Sequence, residues 1–387
     1  MRKKMLVTLA LVYIMCCCGQ AWATVGPGGI WQQKKSAAGY SEHQEGLHYL
    51  LRDEKGQLVT EVSRPVYSGD ELILPDGKHY RVSRVVDKTV TVKLLGENKK
   101  YLGWLEFFKN KPVQATAAND WRERPVGIYH SHTGESYVPS SGEALVPFEG
   151  DIYRVGEKFE KALTAKNIDV IYYQTPHDPH DNNAYVRSRR TASGILRGNP
   201  VAIFDLHRDG VPDPTDYRTE IDGEQVAKIR IVVGRQNGNR KVNQDFAKRL
   251  MAHAEQLYPG IMKDIYIGRG NYNQDLLSTS LLLEVGTYTN SLEEAERGIM
   301  LFTDTVPVVL GLTEEDVKAA AGTVDEMGAG GWRKALALIF TTVLVAGVFM
   351  LINAGSYEKA LERVVQSLRG AVNQINSRIR NIKNDNE

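Results

Sequence analysis

YVRSRRTASGILRGNPVAIFDL, residues 185–206, decides the fold: a helical pattern from Tyr185 to Leu196 is followed by a short apolar strand from Pro200 to Leu206. The same alternation recurs on both sides of this stretch. Further strands are predicted at 126–129, 169–172, 228–233 and 281–285, and further helices at 155–163, 243–257 and 292–309. Strands separated by helices predict an α/β fold with a mixed or parallel sheet flanked by helices.

Polar residues that can do chemistry lie at three predicted strand ends: IYHSHTGESY at 128–137, IFDLHRD at 203–209 and LLLEVG at 281–286. In sheets of this kind, sites lie at the carboxyl ends of strands. A catalytic zinc takes three His, Glu or Asp ligands and keeps one position for water. The metal lowers the pKa of that water to about 7, and a nearby carboxylate passes its proton to the leaving amine. The three segments therefore predict a zinc-dependent hydrolase.

Glu284 is a strong signal, because a carboxylate inside an apolar strand costs several kcal/mol unless it is paired or neutralised. The alternative to a catalytic role is a structural salt bridge, for example to Arg208. The pair His130 and His132 is a better ligand signal than a lone histidine, which at a strand end is usually only hydrogen-bonded.

A second histidine pair, His177 and His180, lies in the segment TPHDPHD. Its prolines favour a solvated loop over a second metal cluster. The helix pattern that follows carries three arginines, Arg187, Arg189 and Arg190. They are interpreted as a solvated helix face rather than as residues that bind the carboxylates of a substrate peptide.

The composition is that of a globular chain, with 387 residues, 42% hydrophobic and 25% charged, enough for two or three domains. The 48 basic and 47 acidic side chains give a net charge of +1, which does not suggest a nucleic-acid binder. The pattern of residues 26–115 predicts a small β-rich module, in which no catalytic motif is found. Its expected role is packing, partner binding or spacing. Residues 116–312 are predicted to be the catalytic domain.

The N-terminus is predicted to be a secretory signal peptide over residues 1–23. Three basic residues precede the apolar stretch 5–18, and AWA at 21–23 supplies a cleavage signal. An uncleaved anchor is one alternative, and a lipoprotein attachment site at Cys16–Cys18 is another, although no small residue precedes it. All three cysteines lie here, so the mature chain would hold a metal only through His, Asp or Glu.

The C-terminal region is predicted to anchor the chain in the cell membrane. After a linker at 313–333, residues 334–357 form an apolar segment, with 23 uncharged residues between Lys334 and Glu358. At about 1.5 Å per residue such a helix crosses a bilayer core of about 30 Å. The tail, 358–387, is predicted to be cytoplasmic and the catalytic domain extracytoplasmic. Basic residues in the tail agree with that orientation: Lys359, Arg363, Arg369, Arg378, Arg380 and Lys383.

Several segments, in order along residues 125–310, resemble the stage II sporulation protein P family of peptidoglycan hydrolases from endospore-forming bacteria. They are IYHSHTGESY (128–137), YVRSR (185–189), YNQDL (272–276), LEVG (283–286) and NSLEEA (290–295). The family is similar to zinc-dependent N-acetylmuramoyl-L-alanine amidases of the AmiC-like fold. The resemblance implies cleavage of the amide between muramic acid and L-alanine, together with an endopeptidase activity on stem-peptide crosslinks.

The resemblance also assigns roles to individual residues. Glu284 resembles the catalytic glutamate, and His207 the zinc histidine at the end of a middle strand. His130 and Glu135 are the expected ligands from the first segment, with His132 as an alternative to either. The acidic ligand lies further along the chain in the wider amidases, which leaves Glu149 and Asp151 as further alternatives.

The resemblance further implies a role in sporulation and engulfment, and a glycan-cutting partner, stage II sporulation protein D. The predicted C-terminal span departs from the usual family member, which has an N-terminal anchor. A catalytically silent wall-binding or scaffolding protein is the alternative from another functional class. A protein-cutting metalloprotease is less favoured, because the sequence contains no H-E-x-x-H motif.

Overall fold

The computed structural model of the chain describes residues 48–110, 120–312, 316–317 and 320. The strands are β1 (Tyr49–Arg52), β2 (Leu58–Val62), β3 (Glu71–Ile73), β4 (Lys78–Val86), β5 (Thr89–Glu97), β6 (Val126–Tyr129), β7 (Val170–Tyr172), β8 (Ala202–Asp209), β9 (Arg218–Ile221), β10 (Glu224–Ala227), β11 (Ile229–Gly234), β12 (Met262–Gly268) and β13 (Ser280–Thr287). The helices are α1 (Lys99–Asn110), α2 (Val138–Ser141), α3 (Ile152–Thr164), α4 (Ala184–Leu196), α5 (Arg240–Leu257), α6 (Leu292–Thr303) and α7 (Thr305–Leu310).

Eleven strands form one mixed sheet in the order β2-β1-β5-β4-β3-β12-β11-β13-β8-β6-β7, and β9 and β10 form a separate hairpin. Strands β13, β8, β6 and β7 are parallel, and β11 is parallel to β12 but antiparallel to β13. The central strands β8, β11, β12 and β13 are buried along their whole length. A sheet covered on both faces explains why these strands are rich in continuous apolar runs. The predicted α/β fold with a mixed sheet flanked by helices is confirmed.

One face of the sheet is covered by helices α1, α3, α5, α6 and α7, which share the largest apolar cluster with the central strands. Helix α3 shows how the sequence produces this packing. Its buried residues Ile152, Val155, Phe159 and Leu163 recur every three or four positions and so lie on one side. Helix α6 begins with a capping box, in which Ser291 and Glu294 satisfy each other's backbone N–H groups.

The opposite face is covered by α4 and by the N-terminal strands. Ala192 and Ile195 of α4 pack on Tyr129 and Ile203. The helix comes so close to β6 that a Cβ at Gly127 would lie 2.3 Å from Ile195 Cγ2. Further along, the segment around β2 folds back over the central strands: Leu51, Val62 and Val66 share an apolar cluster with Val232, Tyr266 and Leu282.

The predicted elements of residues 126–310 are present with small changes of bounds. The predicted strand 126–129 is β6, and the helix predicted over 292–309 is divided at Asp304 into α6 and α7. Strand β12 was not predicted, although it lies in the centre of the sheet. It carries Lys263 and Asp264, whose charges break the apolar run that would have marked a buried strand.

The predicted N-terminal module contains β1–β5 and α1, and β4 and β5 form an antiparallel hairpin. These strands do not form a sheet of their own, since β3 pairs antiparallel with β12. The predicted boundary at 115/116 lies in a range that the structure does not describe. Within the described residues no helix is both long and apolar enough to cross a membrane. The predicted signal peptide and the segment 334–357 lie outside the described residues.

Candidate active site

Two segments meet at the carboxyl ends of the parallel strands β6 and β8. The loop after β6 carries His132 and Glu135, and β8 carries Asp205, His207 and Asp209 on one face because alternate residues of a strand point the same way. Four ionisable side chains of this site are fully or almost fully buried: His132, Glu135, Asp205 and His207. The sequence prediction placed chemistry at these strand ends.

Glu135 lies at the centre of the site. Its Oε1 is 3.4 Å from His132 Nδ1 and 3.8 Å from His180 Nε2, while its Oε2 is 3.5 Å from His207 Nδ1. The backbone N–H of Arg208 donates a hydrogen bond to Oε2 at 2.9 Å. One carboxylate therefore faces three imidazole rings and is oriented by the backbone of β8.

Asp205 and His207 form a second buried pair, with His207 Nε2 3.0 Å from Asp205 Oδ1. Burial alone would lower the pKa of His207, but the charges of Asp205 and Glu135 outweigh it and raise the pKa to about 10. Asp205 also accepts hydrogen bonds from the backbone N–H of Ser131 at 2.8 Å and from the Ser131 hydroxyl at 2.6 Å. These bonds fix the carboxylate, which in turn leaves the Nδ1 side of His207 facing Glu135.

Tyr185 of α4 lies beside the histidines. Its ring centroid is 5.2 Å from that of His132 and 6.2 Å from that of His207. Arg187, two residues further along α4, ties down the loop that carries His180: its guanidinium donates to the carbonyl oxygens of His177 and Pro179 and pairs with Asp181. The start of α4 thus positions one wall of the site.

Glu284 lies directly opposite His207 in the register of β13 and β8. Its carboxylate contacts the Arg64 guanidinium through Oε1 and is 2.9 Å from the Tyr217 hydroxyl through Oε2. Arg230 Nη1 approaches the same Oε2 at 3.5 Å. The predicted alternative of a salt bridge is therefore present, but its partners are Arg64 and Arg230 rather than Arg208.

Arg230 extends this buried polar row to the next strand. Arg230 is on β11, where it lies opposite Glu284 of β13 on one side and opposite Asp264 of β12 on the other. Its guanidinium pairs with Asp264 at 2.7 Å and with Asp209 at 2.7 Å. His207, Glu284, Arg230 and Asp264 therefore form one cross-strand row in the middle of the sheet. Since buried charges are stable only when paired, the row explains how ionisable residues are tolerated in central strands.

His130, predicted as a ligand, is not brought into the group around Glu135. Its Nδ1 is 3.0 Å from the Leu206 carbonyl oxygen and its Nε2 is 2.8 Å from the Tyr172 hydroxyl. Burial lowers the pKa of His130 to about 4, only partly offset by the Leu206 carbonyl. Both ring nitrogens therefore have partners within the protein, so this histidine anchors the loop after β6.

The two further acidic alternatives also lie apart from the group. Asp151 accepts hydrogen bonds from the Tyr137 backbone N–H at 3.1 Å and from the Ser141 hydroxyl. Glu149 is exposed. Glu135 is therefore the acidic residue of this segment that faces the histidines.

His180 is the residue that sequence reasoning missed. It was assigned to a solvated loop, but only 6% of its side chain is exposed, and its ring centroid is 4.1 Å from that of His132. Its neighbour His177 has a structural role, bonding to the His130 carbonyl oxygen and the Thr191 hydroxyl. The histidine pair of TPHDPHD is a usable signal, which the prolines around it obscured.

The donor atoms fit a divalent metal. His132, Glu135 and His180 each offer one ligand atom, and these atoms lie within 4.8 Å of one another. Tetrahedral zinc ligands at about 2.0–2.1 Å from the metal are separated by about 3.3–3.4 Å, close to the observed spacings around Glu135. His207 adjoins the group, and its hydrogen bond to Asp205 is the arrangement in which metal-binding histidines are usually held.

Solved structures similar to the chain are amidases. Ami1 of Mycobacterium smegmatis, an N-acetylmuramyl-L-alanine amidase, is 17% identical over 54% of this chain and all of that chain, with a TM-score of 0.31. The CwlD amidase of Clostridioides difficile, solved in complex with the GerS lipoprotein, is 9% identical over 50% of this chain and 99% of that chain, also with a TM-score of 0.31.

The sequence relationship is stronger. Stage II sporulation protein P of Bacillus subtilis (strain 168) is 30% identical over 233 residues, which cover 55% of this chain and 57% of that protein. Just over half of the relative's length therefore has a counterpart here. Residues 79–306, more than half of the chain, match the family model of stage II sporulation protein P (SpoIIP). The chain belongs to the stage II sporulation protein P family.

Proposed function

We propose that the chain is a metal-dependent peptidoglycan hydrolase that cuts the amide between muramic acid and L-alanine. The observation that carries the proposal is the buried group of His132, Glu135 and His180, with His207 beside it, in a member of this family. Buried carboxylate and imidazole groups in contact are the donor set that zinc takes in hydrolases. By family, the role is in sporulation.

A zinc ion bound here would activate a water molecule and polarise the carbonyl of the scissile amide. Glu135 and His132 would hold the metal together with His180 or His207. If His207 binds the metal as a neutral ring, Asp205 would keep it in one orientation and one tautomer by accepting from Nε2, so that Nδ1 faces Glu135. Ser131 holds Asp205 in turn, which makes the site rigid before substrate binds.

Glu284 is proposed to accept the proton of the attacking water and return it to the leaving amine. It lies on the strand next to His207, at the same level of the sheet. Arg64 and Tyr217 hold its carboxylate, so the proposed role requires that one oxygen exchange a partner when substrate binds.

The same contacts support a second candidate function, a catalytically silent wall-binding or scaffolding protein. In that case Glu284 would serve only to hold Arg64 and Arg230 within the sheet. The two functions differ in what they predict for Glu284→Ala.

The test combines binding and cutting of purified sacculi. For the hydrolase, Glu284→Ala should bind sacculi in a sedimentation assay but should not lower the turbidity of the suspension, whereas the unchanged chain does both. Circular dichroism of the variant must match that of the unchanged chain. If the folded variant clears sacculi at the normal rate, Glu284 is not catalytic; if the unchanged chain binds but never clears them, the silent function is correct.

The proposal includes the localisation, for which the sequence pattern is the support, and a partner, for which the family resemblance is the support. We place the catalytic domain on the extracytoplasmic side, where peptidoglycan lies, and the anchor at 334–357. Stage II sporulation protein D is the proposed glycan-cutting partner. Protease treatment of intact cells, which should digest the catalytic domain and spare the tail at 358–387, tests this topology.

A further inference from the structure

A cavity of 420 Å³ opens beside the candidate active site. Three segments of the chain form it: the turn after β2 with Tyr67, the start of α4 with Tyr185, and the loop after β12 with Arg269 and Tyr272. Its walls are mainly apolar, with aromatic rings and the amides of asparagines. A concave site with aromatic walls and few polar groups is typical of a ligand-binding cavity.

Two arginines line the cavity, and they differ in their surroundings. Arg189 is neutralised by Asp275, to which it donates two hydrogen bonds at 2.8 and 2.6 Å. Arg269 stacks on Tyr67, with its guanidinium carbon 4.6 Å from the ring centroid. Within the described ranges no acidic side chain lies within the 4.0 Å ion-pair distance of Arg269. Its charge is therefore not balanced by a neighbour, as that of Arg189 is.

The stacking of Arg269 leaves its N–H edge available. A planar guanidinium that covers an aromatic face still presents N–H groups along its edge, in the geometry that matches a carboxylate. The residue is also exposed, so a ligand can reach it from solvent. The cavity thus offers aromatic walls for an apolar part of a ligand and one cation for an anionic part.

Tyr185 connects the cavity to the candidate metal group. Its ring centroid is 5.2 Å from that of His132 on one side and 5.2 Å from that of Tyr272 in the cavity on the other. An extended peptide advances about 3.3–3.6 Å per residue. If the scissile amide of a substrate lies at the histidines, the residue one or two positions further along the peptide would therefore lie within the cavity.

We propose that this cavity binds the acidic second residue of the peptidoglycan stem peptide, and that Arg269 binds its free α-carboxylate. The inference rests on the proposed function, since it takes the stem peptide as the substrate. In that peptide L-alanine is followed by a glutamate linked through its side chain, which leaves the α-carboxylate free or amidated. The site distinguishes the two forms, because an amide cannot form an ion pair with Arg269.

The test compares two muropeptides that differ only in this group, one with the free carboxylate and one with the amide. For the unchanged full-length chain, KM for the amidated form should be about ten-fold higher, the size expected of a hydrogen bond to a charged group. Arg269→Gln should raise KM for the free acid to the value of the amide and leave the amide unchanged, with kcat little altered. Arg269→Lys should keep part of the preference.

Arg197→Gln, at an exposed arginine directly after α4 and so at the other end of that helix from Tyr185, is the control and should behave as the unchanged chain. Equal KM values for the two muropeptides in the unchanged chain, with hydrolysis of both, would overturn the inference and leave the proposed function standing. If neither muropeptide is cut, calorimetry of the two free stem peptides decides. If the free acid binds more tightly than the amide and Arg269→Gln abolishes this difference, the inference is supported even though the proposed function is not. Equal binding of the two peptides would overturn the inference.

Discussion

Arg64 and Glu284, 220 residues apart in the sequence, meet in the buried interior of the protein, where the guanidinium contacts the carboxylate. The contact joins a residue of the predicted N-terminal module to the predicted catalytic glutamate. Ser63 extends the connection, because its backbone N–H donates to Asp209 at 3.1 Å. The segment after β2 is therefore part of the candidate site.

Arg64→Met should lower the free energy of unfolding by about 3 kcal/mol, because removing one partner of a buried ion pair leaves the other charge uncompensated. Chemical denaturation measures the loss. A double-mutant cycle with Glu284→Gln should give a coupling energy of about 1–3 kcal/mol. Additive effects would show that the two residues do not stabilise each other.

Asp205→Asn should weaken zinc binding about 10-fold to 100-fold, because the carboxylate that orients His207 would be lost. Competition with a chromogenic chelator gives the affinity. Asp275→Asn is the matched control, since Asp275 pairs with Arg189 away from the histidines. An unchanged zinc affinity in the Asp205 variant would contradict the role assigned to this pair.

Substitution of single histidines decides which of them bind metal. We expect His132→Ala to lose bound zinc, measured by mass spectrometry of the metal content. The third ligand is whichever of His180 and His207 also loses zinc when it is replaced by Ala. His130→Ala should keep its zinc but unfold at lower denaturant, because both ring nitrogens bond to the protein. The opposite pattern would favour the ligand set that the sequence resemblance implied.

His253 should make the stability depend on pH. Burial against Phe108 lowers its pKa to about 4, whereas an unfolded chain has a histidine pKa of about 6.5. The unfolded state therefore takes up the proton first, and stability falls as the pH drops from 6.5 to 4, by about 2 kcal/mol at pH 5.

Denaturation of His253→Gln across that range checks the assignment. The variant should be less stable at pH 7 but should show a shallower decline on acidification. If both proteins decline with the same slope, another group is responsible for the acid sensitivity.

Much of the fold could be predicted from the sequence, because the strand and helix patterns of residues 126–310 are regular. Glu135 and His207 could be selected because they follow apolar strands, whereas His132 was only the alternative to the preferred His130. The partners of Glu284 could not be predicted from the sequence, because Arg64 comes from a distant segment and Arg230 lies on a strand whose register is set only in the folded sheet. His180 was missed because local composition does not show that its loop folds over the site.

The most direct test of the central claim is mass spectrometry of the fragments that the purified chain releases from sacculi, with and without a chelator. We predict free stem peptides that begin at L-alanine, lost with the chelator and restored by added zinc. Release of the same peptides in the presence of the chelator, or of fragments cut only within the glycan, would contradict a metal-dependent amidase.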